Sequence, residues 1–176
     1  MVAMVDKYVN FAKTWKTVGV TSRLRWQQNN SLGRFNKYLL IRFIDRYGEK
    51  AMEVIAETGL AVGYEDGKKI CDNLNLDSNS LRATLIPIEA ISLLAGVDTD
   101  ILVESNYGPG SICLRVNDCI YSTLFDGMNV AADFKTNACS SYSTGLTHAV
   151  SAKAHVKVVK KCCAGDKFCE FVVNLG

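Results

Sequence analysis

The hydrophobic period of this chain changes once, close to Gly96, and that change limits the fold more than any other feature. Before it, apolar residues recur every three or four positions, as one face of a helix requires. After it, short stretches alternate apolar and polar residues and are rich in β-branched side chains, the pattern of half-buried strands. Helices first and an antiparallel sheet second define an α+β domain, with N-terminal helices packed on a small antiparallel sheet formed by the C-terminal half. A chain of 176 residues, 48% hydrophobic and 22% charged, buries enough surface to fold around one core, so residues 1–176 are expected to form a single domain.

Individual elements follow from spacing and punctuation. Val5, Tyr8, Val9, Ala12, Trp15 and Val18 lie on one face of a short helix, and the polar run Thr21 to Ser31 reads as a connection, so residues 1–31 make an N-terminal helix and linker. Phe35, Leu39, Phe43 and Ile44 mark a helix from Leu32 to Tyr47 that Gly48 ends. A longer helix is predicted from Glu49 to Leu74, with Met52, Ile55, Val62 and Ile70 on its apolar side. Gly59, Gly63 and Gly67 fall four apart on one stripe of it, each costing about 1 kcal/mol of helix propensity relative to alanine. Either another backbone or a ligand then approaches that stripe closely. Asp77 to Ser80 is a turn, and Leu81 to Leu94 a third helix in which Pro87 demands a kink or a delayed start. Asp100–Asn106 and Ser111–Asn117 flank the turn Tyr107-Gly108-Pro109-Gly110 as a hairpin. A helix over Phe134–Val150 and two strands within Ala154–Val173, joined around Ala164-Gly165-Asp166, complete the chain.

Twenty Lys and Arg against eighteen Asp and Glu leave a net charge of +2, too little for a general nucleic-acid or anionic-membrane binder. No run of eighteen apolar residues is present to span a membrane. The partner is therefore expected to be a small organic molecule or another protein. Seven cysteines are an odd number, and charge at Asp6 and Lys7 interrupts any apolar signal segment, which together suggest reduced thiols and a cytoplasmic location.

The sequence contains no GxGxxG, P-loop, HExxH, GxSxG or CxxC. Its two histidines are His148 and His155. His148 lies nine positions beyond Cys139, about 13 Å along one helix, so the two do not form a dyad there. The cysteines crowd toward the C-terminus at Cys139, Cys162, Cys163 and Cys169, with Cys119 after the second hairpin strand.

The order of a cysteine after a strand, Cys139 opening a helix, then Gly165-Asp166-Lys167-Phe168-Cys169-Glu170-Phe171 before a last strand resembles the L-2-amino-thiazoline-4-carboxylic acid hydrolase family and the related 4-vinyl reductase type of ligand-binding domain. The resemblance covers residues 48–174. It implies a domain that holds a small molecule between helices and sheet, as a homodimer or as a subunit of a larger complex. Gly59, Gly63, Cys119, Tyr142 and His148 are the expected binding residues. In sensor domains of that type a zinc is bound beside the pocket by a Cys, a Glu and two further Cys. Cys139 and Cys169 match two of those positions, and Cys163 is near a third. Val158 and Lys161 stand where the Glu and the middle Cys belong. No cofactor is expected, with zinc at Cys139, Cys163 and Cys169 as the alternative.

The implied reaction is hydrolysis of a small heterocyclic or amidine-like compound. A thiolate at the start of a helix is the best nucleophile this chain offers, which points to Cys139, with Lys135, Tyr142, Glu104, Asp133 or Asp166 supplying charge or a proton. Asp166 also suits a turn-shaping role. The alternative is a binding, sensing or accessory subunit of the vinyl reductase type without catalysis.

Overall fold

The computed structural model describes residues 31–95, 97–102, 107–119 and 132–176. The expected N-terminal helix and linker lie outside these residues. Among them, four α-helices and four strands appear in chain order: α1 (Ser31–Tyr47), α2 (Glu49–Leu74), α3 (Ile86–Leu94), β1 (Thr99–Leu102), β2 (Ser111–Val116), α4 (Ala132–Val150), β3 (Ala154–Lys160) and β4 (Cys169–Leu175). The class is α+β, as the change of period implies.

Gly48 separates α1 from α2 at φ 52°, a left-handed value that a side chain would resist, and its N–H still reaches the Ile44 carbonyl at 2.8 Å. Between α2 and α3, Asp77 and Ser80 accept backbone N–H groups from Asn79 and Ala83. A 3-10 turn over Ala83–Leu85 follows, and Pro87 then sits in the first turn of α3. Pro87 therefore delays the start of the helix, because its missing N–H is harmless there.

The sheet is antiparallel throughout, in the order β1-β2-β4-β3. Its register pairs Leu114 with Phe171 and Phe171 with Val158, and puts Ile112 beside Val173. These side chains, with Val116, Ala154 and Cys169, form the inner face and pack against Leu85, Ile88 and Leu146. Each large apolar side chain buried in this way contributes roughly 1.5–3 kcal/mol. Both α4, which lies between β2 and β3 in sequence, and α3 are seated on the sheet, and α2 packs on α4.

Contact between α2 and α4 is very close. A methyl group on Gly63 would collide with the Tyr142 carbonyl, one on Gly67 would come within 2.7 Å of the Ala149 methyl, and Gly145 meets the Leu60 carbonyl in the same way from the other side. The glycine stripe serves backbone approach, and α4 fills the space beside it. Gly59 and Gly63 are consequently helix-packing residues in this fold, not walls of a ligand site.

Candidate functional site

Where α4 crosses the ends of β3 and β4, a small cavity of about 10 Å³ remains, room for roughly one water molecule. Cys119, Cys139, Cys163 and Cys169 all line it, together with Lys135, Thr136, Val158 and Lys161. Three elements and two turns bring these side chains together from positions fifty residues apart in sequence.

The local geometry departs from the sequence-based expectation in two respects. First, α4 begins at Ala132, so Cys139 lies about two turns inside the helix. The attraction of a helix N-terminus for negative charge fades within the first turn, and it does not reach this thiol. Second, Cys162 and Cys163 occupy a 3-10 turn, Cys162–Ala164, and not a strand. The Cys162 N–H donates to Cys169 Sγ at 3.3 Å, while Cys163 Sγ lies 3.5 Å from Thr136 Oγ1. Gly165 closes this turn at φ 101°, and the Lys161 N–H donates to Asp166 Oδ2 at 2.7 Å. Asp166 therefore shapes the turn.

Burial dominates the electrostatics of the cavity. It pushes the Cys139 thiol well above its ordinary range, and the neighbouring Cys169, Cys119 and Cys163 thiols add to the shift, against a smaller opposing contribution from the Ser143 hydroxyl. Cys169 is pushed up to about 12, again chiefly by burial. These are protonated, weakly nucleophilic thiols at neutral pH. Although four cysteines line the cavity, no group of three or more His, Cys, Asp or Glu side chains among the described residues is arranged to hold a metal ion. The expected set Cys139, Cys163 and Cys169 lines this one cavity.

Of the other expected site residues, Cys119 is at the cavity. Tyr142 faces α2, where its hydroxyl donates to Asp66 Oδ2 at 2.9 Å. His148 lies in the last turn of α4, outside the cavity lining. Asp133 is exposed in the first turn of α4, and Glu104 lies outside the described residues.

One cluster was not anticipated. Glu170, 3% exposed on the sheet face opposite α4, accepts from Arg115 at 2.9 Å and from the Tyr107 hydroxyl at 2.7 Å, and pairs with Lys160 at 3.1 Å. The Phe168 ring lies against both cations, 4.1 Å from the Arg115 guanidinium carbon and 4.5 Å from Lys160 Nζ. Strict alternation in Cys169-Glu170-Phe171 carried the signal, since it turns Glu170 away from the two core residues that flank it.

Helices layered on one face of a four-stranded antiparallel sheet, with a small cavity between the two layers, place the chain in the α+β class. The chain is similar in structure to the phenol-responsive sensory domain of the transcription activator PoxR, solved with phenol, at a TM-score of 0.52 and 16% identity over 79% of this chain and 72% of that one. It is also similar to trafficking protein particle complex subunit 3 from Naegleria fowleri, covalently bound to palmitic acid, at a TM-score of 0.50 and 15% identity over 81% of this chain and 96% of that one. At such identities the likeness concerns the fold. No protein-family model matches the chain, and no curated protein matches its sequence. Among the described residues no helix is long and apolar enough to cross a membrane.

Proposed function

We propose that this chain is a small-molecule-binding domain that encloses its ligand between α4 and the β3–β4 end of the sheet. The observation that carries the reading is the cavity lined by Cys119, Cys139, Cys163 and Cys169, at the junction of the helix layer and the sheet. Its walls are apolar and thiol-rich, and Lys135 and Lys161 add two cations. Such a lining suits a small, weakly polar or singly anionic molecule. Since the space holds about one water, a ligand enters by displacing the half-buried Cys162–Ala164 turn from α4.

The finer reading, hydrolysis of a heterocyclic or amidine-like compound, needs a thiolate at Cys139, and burial opposes one. A role as a homodimer or as a subunit of a larger complex accords with the exposed apolar side chains of α1, and a reducing, cytoplasmic setting accords with seven free thiols.

Native mass spectrometry of the full chain, purified without chelator, tests this directly. A bound small molecule, or saturable uptake from a panel of phenols and saturated fatty acids, is expected, and Cys163→Phe should abolish it while the melting temperature is kept. The reading fails if nothing binds, or if Cys163→Phe binds as well as the parent chain. Release of a hydrolysis product from 2-amino-thiazoline-4-carboxylate that disappears in Cys139→Ala would restore the catalytic reading.

A further inference from the structure

The sheet has a second face, turned away from α4, and the pairing register sets its chemistry. Across the four strands one row reads Asp100, Arg115, Glu170 and Lys160, alternating in sign. The next row places Cys113, Val172 and Lys157 side by side, and the third Ser111, Asn174 and His155. A groove of about 340 Å³ lies on this face, lined by Tyr107, Ser111, His155, Lys157, Val172 and Asn174.

We propose that this groove is a second binding site, separate from the α4 cavity, for a small organic carboxylate with a flat apolar body. The volume falls in the range of small-ligand sites. The Tyr107 ring is held in place by the bond from its hydroxyl to Glu170 Oε2, and with Val172 it offers apolar contact to a planar group. Lys157 supplies the charge. Among the described residues no acidic side chain lies within ion-pair distance of it, and none lines the groove. Glu170, the nearest carboxylate along β4, does not repel an anion, because Arg115 and Lys160 both pair with it. The Ser111 hydroxyl and the Asn174 amide add neutral donors. One lysine, the His155 ring beside it and the two neutral donors match a monoanion, whereas a phosphate dianion calls for a fork of arginines.

The test is a titration of the isotope-labelled full chain with benzoate, followed through its backbone amide resonances, beside the uncharged benzyl alcohol. Benzoate is expected to shift the amides of Tyr107, Lys157, Val172 and Asn174 saturably. Lys157→Gln should weaken benzoate about tenfold, the worth of one charge-assisted hydrogen bond, and leave benzyl alcohol unchanged. Asn174→Asp, which adds a like charge at an exposed position, should abolish benzoate binding with the amide spectrum of the fold intact. The proposal is overturned if benzoate shifts only the amides around Cys139 and Cys163, if no saturable shift occurs, or if both variants bind benzoate as the parent does. Only the first of these outcomes bears on the α4 cavity, and it would support ligand uptake there while removing the second site.

Discussion

Two opposing influences meet at Glu170. Burial favours its neutral form, yet the bonds from Tyr107, Arg115 and Lys160 outweigh burial and hold the carboxyl below its ordinary value of 4.5. A carboxyl whose pKa falls on folding contributes stability that is present above the unfolded value and lost as the pH drops through the folded one. Glu170→Gln is therefore expected to cost about 2 kcal/mol in urea melts at pH 7. The difference should shrink as the pH is taken below 4.5, where the parent chain protonates the same group. A cost that stays constant down to pH 2 would show that shape, not charge, holds the cluster. The shared bond also pushes the Tyr107 phenol up to about 12, so Tyr107 stays a donor across the physiological range. At Cys139 burial outweighs the opposing Ser143 hydroxyl. Limited iodoacetamide treatment followed by peptide mapping should find Cys139 modified more slowly than Cys71: both residues are partly exposed, but the Cys139 thiol is raised further than that of Cys71, which burial and Asp72 also raise. Faster modification of Cys139 would return it to the role of nucleophile.

The α2–α4 pair depends on the absence of side chains. An alanine at Gly63 gains about 1 kcal/mol of helix propensity, but its methyl group has to displace the Tyr142 backbone, and overpacking of this kind costs about 1–3 kcal/mol or more. Gly63→Ala is expected to lower the unfolding free energy by about 2 kcal/mol. Stabilisation instead would mean that the helices separate at little cost. The stripe was legible in the sequence as a place of close approach, because glycines four apart have little other reason to persist in a helix. Which neighbour approaches was not legible, since Gly145 and Tyr142 lie some eighty residues away. The same division holds across the fold. Both ends of α2 follow from Gly48 and the turn after Leu74, and the strands follow from their alternation. In α1 the periodicity of Phe35 and Leu39 marks a helix but not its buried side. Leu40, Ile41 and Ile44 pack against Phe134, whereas Phe35 and Leu39 face outward. At the cavity, the cysteines were visible as a cluster. Their protonation was not, because it depends on a helix that starts two residues earlier than its apolar pattern and on the walls that other elements supply.

For the whole molecule, the outward face of α1 exposes apolar side chains that a partner could cover. Phe35 is 62% exposed, Tyr38 69% and Leu39 57%, three large apolar side chains on adjoining turns of one helix. Self-association through this face is expected, with light scattering on a sizing column reporting a dimer for the parent chain and a monomer for Phe35→Glu/Leu39→Glu. A monomeric parent chain would sink this expectation. A different consequence comes from the strand order. β2 pairs with β4, matching Val116 to Cys169, and all of α4 and β3 lies between them in the chain. During synthesis β2 leaves the ribosome well before its central neighbour exists, with one row of backbone donors and acceptors unmatched. Closing so long a loop carries an entropic cost that local helix pairing avoids, which makes this step slow and exposes a strand edge meanwhile. The nascent chain is then most open to aggregation in the interval between the emergence of Val116 and that of Cys169, when docked helices and shielding by chaperones are the available cover for that edge.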